Sequence, residues 1–163
     1  MHLSQYYNSF IIYNILLIIF FSLTVNGVPL FPILNIIFYS ILHFLIIYLG
    51  IYYYRKKLYL IYFLYGLGLD LFWINEIGPH LITFMFALSI FYLTFKYLNN
   101  LRKLNIYLML LMTQITMILF EMFISQMMFG FSFNLSYFLK IALLSIIFSY
   151  PIFIIFSKID RVI

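Results

Sequence analysis

The residues best suited to chemistry lie in one short stretch, GLGLDLFWINEIGPH, at positions 66–80. The chain has only four acidic residues, and this stretch contains two of them, Asp70 and Glu76, together with His80. Carboxylate and imidazole groups can transfer protons, bind metal ions or hold a helix terminus. Their spacing matches no zinc-protease, nucleophile-elbow, phosphate-loop or paired-aspartate motif, and the chain has no cysteine. We therefore expect neither an enzyme nor a cofactor-binding protein.

The end of this stretch has the signature of a helix start. Gly78 and Pro79 place a proline at the first helical position, where its missing N–H has no consequence. The free amides of a helix start attract an anion. Asp70 or Glu76 could serve as that anion, with His80 as a hydrogen-bond partner. The pattern therefore predicts a short helix, a brief loop and a second helix whose positive end meets an acid.

Asp70 has two interpretations that the sequence leaves open. At about 1.5 Å per residue from Leu58, it lies roughly 18 Å along its helix, in the outer part of a bilayer. Gly66 lies one turn earlier on the same face, and a glycine there lets another helix approach closely. This favours an aspartate that faces protein, with a structural or partner-binding role. The alternative is a hydrated residue near the membrane interface, or a cap on the following turn.

The composition places these residues in a membrane protein. Of the 163 residues, 67% are hydrophobic and 8% are charged, and the mean hydropathy is +1.14. A soluble domain carries roughly 25% charged residues because most of its surface faces water. We therefore expect an all-α integral membrane protein, with residues 1–163 forming a single transmembrane domain.

Six apolar segments predict six transmembrane helices. Their approximate bounds are 10–25, 33–54, 58–73, 79–97, 104–124 and 137–156. Basic residues collect on the cytoplasmic side of a membrane protein. With a cytoplasmic N-terminus, eight of the nine basic residues lie on that side, in the loops 55–57 and 96–103 and in the C-terminal tail. The net charge of +5 therefore indicates a six-helix bundle with both termini in the cytoplasm, and not nucleic-acid binding.

Three further polar residues are expected in or near the membrane. Glu121 lies in the fifth segment and is a candidate structural or partner-contact residue. Lys140 is the one basic residue on the far side, where its long stem can reach the headgroups. A Glu121–Lys140 ion pair is an open alternative, although two independent groups are favoured. His43, in the middle of the second segment, is interpreted as a satisfied interior histidine.

The stretch at 66–80 resembles a segment of the MreD family, the rod shape-determining membrane proteins of bacteria. The resemblance rests on the glycine and aspartate of GLGLD at 66–70, followed by IGPH at 77–80. It is specific over roughly residues 60–95. Elsewhere it rests on size, span number and the distribution of charge.

The resemblance implies a fold similar to the substrate-binding subunits of energy-coupling-factor vitamin transporters, a compact bundle of six helices. It implies a non-enzymatic component of the peptidoglycan elongation machinery in the bacterial inner membrane. The implied partners are a single-span periplasmic protein of the MreC type, the MreB filament, the polymerase RodA and its transpeptidase partner. The positions that carry over, as packing or partner-contact residues, are Gly66, Asp70, Gly78 and His80.

Two other functions are compatible with the residues. One is a substrate-binding membrane subunit of an energy-coupling-factor transporter, which needs polar groups that converge on an outward pocket. The residues available for such a pocket are Asp70, His80, Glu121, Gln126 and Asn134. The other is a structural membrane protein of a different kind.

We predict that positions following Lys57, Asn100 and Ile163 face the cytoplasm. Because the chain has no cysteine, a single cysteine introduced at each site can be labelled without a competing thiol. An impermeant maleimide should label these sites only after the cells are permeabilised, whereas a cysteine in place of Glu76 should react in intact cells. Labelling of the 96–103 loop in intact cells would contradict the six-span topology.

Overall fold

The computed structural model describes residues 3–27, 31–53, 55–98, 103–130 and 134–162, which form helices and loops without a strand. Within these ranges, the structure describes every side chain except those of residues 3–8, 93–98, 103–104 and 161–162. The helices are α1 (Leu3–Asn26), α2 (Pro32–Tyr52), α3 (Lys57–Trp73), α4 (Pro79–Leu98), α5 (Lys103–Phe129) and α6 (Leu135–Val162). Each apolar segment of the sequence is therefore confirmed as a helix.

Four of these helices, α1, α2, α5 and α6, are long and apolar enough to cross a membrane. The chain is therefore a helical membrane protein. Helix α3 has 17 residues, and the described apolar part of α4, Pro79–Tyr92, is also shorter than a typical span. Six spans and the orientation of the termini remain predictions for this reason.

The helix ends follow from local sequence. Pro32 and Pro79 occupy the first positions of α2 and α4, where a missing N–H is tolerated. Gly27 and Gly130 follow α1 and α5 with φ of 62° and 68°, the left-handed conformation that ends many helices. The side chain of Asn134 accepts a hydrogen bond of 3.1 Å from the amide of Tyr137 and so caps α6. Helices α1, α5 and α6 extend beyond their apolar segments because polar residues continue the helix past the apolar run.

Helix α2 is the centre of the bundle. It packs against α1, α4, α5 and α6, and every side chain from Leu42 to Ile51 is buried. Helices α3 and α4 pack against each other as a hairpin. A helix segment that is buried on all faces, as α2 is from Leu42 to Ile51, is the expected core of a membrane bundle.

A buried polar contact joins α2, α5 and α6. The side-chain amide of Gln114 donates to the carbonyl of Ser40 at 2.8 Å. The hydroxyls of Ser40 and Ser145 are also hydrogen-bonded, at 2.8 Å. Bonds of this kind between membrane helices contribute about 0.6–2 kcal/mol each.

A carboxylate and three tyrosines hold the end of α6 against α1 and α2. The hydroxyl of Tyr13 donates to Asp160 at 2.9 Å, and Tyr48 and Tyr53 donate to the same carboxylate. The ring of Tyr13 contacts both other rings, with centroid distances of 5.4 Å to Tyr48 and 5.3 Å to Tyr53. Tyrosine can satisfy a carboxylate while its ring adds apolar area.

Close approach of α3 and α4 depends on a residue without a side chain. A Cβ atom at Gly66 would lie 2.7 Å from the Cα of Leu81 and 3.2 Å from the carbonyl oxygen of His80. Both neighbours are backbone atoms of α4, so they cannot move without shifting the helix. A Cβ atom at Gly68 would instead meet the ring tip of Phe21 at 2.7 Å, where a side chain can rotate.

We predict that Gly66→Ala destabilises the protein and that Gly68→Ala does not. Overpacking against backbone typically costs about 1–3 kcal/mol, whereas alanine is favoured over glycine within a helix by about 1 kcal/mol. Thermal unfolding of the purified variants in detergent measures the difference. Equal melting temperatures would contradict a tight α3–α4 contact.

Candidate functional site

The carboxylate of Asp70 lies at the start of α4 and is completely buried. One oxygen, Oδ2, accepts from the amides of Gly78 at 2.9 Å and Leu81 at 3.0 Å. The other, Oδ1, accepts from the amide of His80 at 3.0 Å and contacts its Nδ1 at 2.7 Å. The predicted contact between this acid and the helix start is therefore present. Asp70 is not hydrated, so that alternative is wrong, whereas the other alternative, a cap on the turn that follows, describes these amide contacts.

The loop between α3 and α4 explains why Asp70, and not Glu76, occupies this position. Helix α3 ends at Trp73, and Asn75 takes a positive φ of 60°, which turns the chain sharply. Pro79 then begins α4. The turn leaves Glu76 exposed and brings the free amides of α4 back to the buried face of α3. Both amide geometry and the helix dipole favour an anion there.

His80 connects Asp70 to Glu121 of α5. Its Nδ1 faces Asp70, and its Nε2 lies 3.0 Å from Oε1 of Glu121. Both His80 and Glu121 are buried. A carboxylate oxygen can only accept unless it is protonated. A favourable contact on both sides of the ring therefore requires a cationic His80 or a proton on one of the two carboxyl groups.

Two residues of α2 complete the arrangement. Oε2 of Glu121 accepts from the hydroxyl of Tyr39 and lies 3.1 Å from Nε2 of His43. Nδ1 of His43 lies 3.0 Å from the carbonyl oxygen of Tyr39, which can only accept, so this nitrogen carries a hydrogen. Nε2 also faces an acceptor, so its contact with Glu121 requires a second hydrogen on the ring or a proton on Glu121. Both nitrogens of His43 have partners within the protein. His43 is therefore a satisfied interior histidine, as the sequence predicts. Lys140 is exposed, and Glu121 pairs with the two histidines, so the Glu121–Lys140 ion pair does not form.

We call these five residues the buried polar network: Tyr39, His43, Asp70, His80 and Glu121. The network joins α2, α3, α4 and α5. Neither the role of Tyr39 nor the contact between His43 and Glu121 was predicted from the sequence. The available signal was a tyrosine and a histidine four residues apart on one face of an apolar helix.

Aromatic rings enclose the network. Trp73 stacks on Tyr39 with centroids 5.2 Å apart and meets the ring of His80 edge-on at 5.5 Å. Phe84 meets His43 edge-on at 5.3 Å. Exclusion of water strengthens each electrostatic contact and raises the penalty for an unpaired group.

The polar atoms of the network are directed at one another. Oε1 of Glu121 makes no hydrogen bond among the described residues, and its partner is Nε2 of His80 in an ion-pair contact of 3.0 Å. No group of three histidine, cysteine or acidic residues in the described part of the chain is arranged to hold a metal ion. The arrangement can fix the relative positions of four helices and can store a proton.

The other candidate residues have different roles. Gly78 donates its amide to Asp70, and a Cβ atom there would lie 3.0 Å from the ring of Phe129 in α5. Gly78 is therefore a packing position as well as a donor. Gln126 and Asn134 are exposed and lie outside the network.

The fold and the site define a helical membrane protein whose α3–α4 hairpin is held by a buried carboxylate. Comparison with protein-family models, with curated protein sequences and with solved structures finds no match to this chain. Its function is therefore inferred from its own residues and their geometry.

We predict that Asp70→Leu strongly destabilises the protein. The amides of Gly78, His80 and Leu81 would lose their acceptor, at about 1–3 kcal/mol for a buried unsatisfied group. Asp70→Asn keeps one acceptor oxygen but loses the charge, so an intermediate effect is expected. Thermal unfolding in detergent provides the measurement.

Glu76→Gln is the matched control for Asp70. It removes an acid six positions away in the same hairpin, at an exposed site, and should leave the melting temperature unchanged. If Asp70→Leu were as stable as Glu76→Gln, the carboxylate would not be what holds α4 to α3.

Proposed function

We propose that this chain is an MreD-type, non-enzymatic component of the machinery that elongates the bacterial cell wall. In this proposal it binds a single-span periplasmic protein of the MreC type and supports peptidoglycan synthesis along the cell body. One observation carries the proposal. The positions on which the family resemblance rests meet in a single contact between α3 and α4: Gly66, Asp70, Gly78 and His80.

The geometry explains the residue type at each of these positions. Gly66 lets the backbones approach, Asp70 supplies the acceptor, and Gly78 and His80 supply donors. The separation of eight to eleven residues between acceptor and donors is fixed by the loop. The residues of this short motif are therefore the ones that one particular hairpin geometry requires. This agreement supports the resemblance over residues 66–80.

The proposed topology rests on the charge distribution and composition, and the proposed partners are those that the family resemblance implies. The chain spans the inner membrane six times, with both termini in the cytoplasm and the α3–α4 turn on the periplasmic side. The two helices on either side of that turn form a hairpin, and the buried polar network holds this hairpin rigid. A rigid hairpin does not have to become ordered when a periplasmic partner binds it, and this reduces the entropic cost of association. The MreB filament, RodA and its transpeptidase partner complete the proposed assembly.

The alternative of an energy-coupling-factor binding subunit has weaker support. Its ligand would need free polar groups, but Asp70, His80 and Glu121 are bonded to one another or to the backbone. Gln126 and Asn134, the other candidates, are exposed. The polar groups that converge therefore serve the protein itself.

Replacement of the MreD protein in a rod-shaped bacterium tests the proposal. We expect the wild-type chain and Glu76→Gln to maintain rods, Asp70→Asn to maintain them partly at normal membrane abundance, and Asp70→Leu to give rounded cells.

Co-purification in detergent should recover a single-span periplasmic protein with the wild-type chain. Recovery of an ATPase-driven transport module with a bound vitamin would favour the alternative, and turnover of a wall precursor by the purified chain would contradict a non-enzymatic role.

A further inference from the structure

A groove of about 740 Å³ runs between the first turns of α2 and the first half of α6. Its walls are mainly aliphatic, with Ile33 and Ile36 on α2 facing Leu139, Leu143 and Leu144 on α6. No residue of the buried polar network lines it. The groove is therefore a separate feature, open to the surroundings of the bundle.

One charged residue, Lys140, lines this groove. It is exposed and makes no hydrogen bond or ion pair with the described residues. Side chains of a helix point towards its N-terminus. The ammonium of Lys140 can therefore reach the level at which α6 begins, as lysines near helix ends do at the membrane interface.

The first turn of α2 lies at the same end of the groove. Its N-cap residue, Phe31, offers no side-chain acceptor to the amides of that turn. In contrast, Asn134 caps α6. The positive end of α2 therefore adds to the charge of Lys140, and both favour an anion at this end.

The length of the groove corresponds to one leaflet of a bilayer. Its lining on α6 runs from Leu135 to Leu144, which is about 14 Å of helix at 1.5 Å per residue. The hydrocarbon core of a bilayer is about 30 Å thick, so a single leaflet contributes about 15 Å. An apolar groove of this length with a cation at its polar end has the dimensions of one lipid chain and its headgroup.

We propose that this groove binds one anionic phospholipid from the leaflet in which α2 and α6 begin. The phosphate contacts Lys140, and an acyl chain lies between Ile36 and Leu143. Other occupants fit less well. A free phosphate would gain nothing from the aliphatic walls, and a second copy of the chain packed on this groove by two-fold symmetry would place two Lys140 charges in one interface.

Native mass spectrometry of the purified chain tests this proposal. The protein is mixed with phosphatidylglycerol or with phosphatidylcholine of the same acyl chains. A lysine near a membrane surface contributes about 1 kcal/mol to the binding of anionic lipid, so wild-type protein should prefer phosphatidylglycerol about fivefold. Lys140→Gln should remove this preference.

Lys158→Gln is the matched control, because Lys158 is an exposed lysine near the other end of the same helix. It should keep the full preference for phosphatidylglycerol. Leu143→Trp, which fills the groove, should weaken the binding of both lipids. The melting temperature of each variant in detergent shows whether it remains folded.

Four results would overturn the proposal. Equal binding of the two lipids by wild-type protein would remove the role of charge. Equal loss in the Lys140 and Lys158 variants would remove the role of the groove. Displacement of phosphatidylglycerol by inorganic phosphate alone, or a dimer that excludes lipid, would identify a free anion or a second copy as the occupant.

Discussion

A carboxylate inside a membrane protein must be fully paired, and the pairing of Asp70 fixes the geometry around it. An ionisable side chain costs about 2.5–3.5 kcal/mol in the middle of a membrane helix. Asp70 offsets this cost with three backbone amides and one imidazole nitrogen, contributed by Gly78, His80 and Leu81. These donors lie on one helix start, so α4 can take only one position relative to α3. That position in turn requires Gly66, because any side chain there would collide with the backbone of α4.

The same constraint extends through His80 into the rest of the bundle. Once His80 is held by Asp70, its second nitrogen faces Glu121, and Glu121 must then be satisfied by Tyr39 and His43 of α2. Removal of one partner from a buried charged pair usually costs more than the pair itself contributes, because the remaining group is left unpaired. The five residues of the buried polar network should therefore act as one unit.

The sequence predicts what depends on neighbouring residues and misses what depends on distant ones. Apolar runs and proline positions predicted six helices. Only eight to eleven residues separate Asp70 from its amide donors, so local rules for loops and helix starts were sufficient to predict that contact. Tyr39 and Glu121 are 82 residues apart, and Tyr13 and Asp160 are 147 apart. No spacing rule connects such pairs. Glu76 was left as a second candidate for the helix start because the turn at Asn75, which exposes it, has no strong sequence signal.

Helix α2 takes part in each of the three polar clusters, and this explains its central position. Its residues Tyr39 and His43 meet Glu121 of α5, Ser40 meets α5 and α6 on another face, and Tyr48 meets Asp160 at the end of α6. Between membrane helices the hydrophobic effect gives little guidance, because lipid tails are as apolar as leucine. Hydrogen bonds and close packing must therefore specify which helices are neighbours. A helix that offers a different polar partner on each face can organise the bundle, while the Asp70 contact adds the α3–α4 hairpin to it in a single orientation.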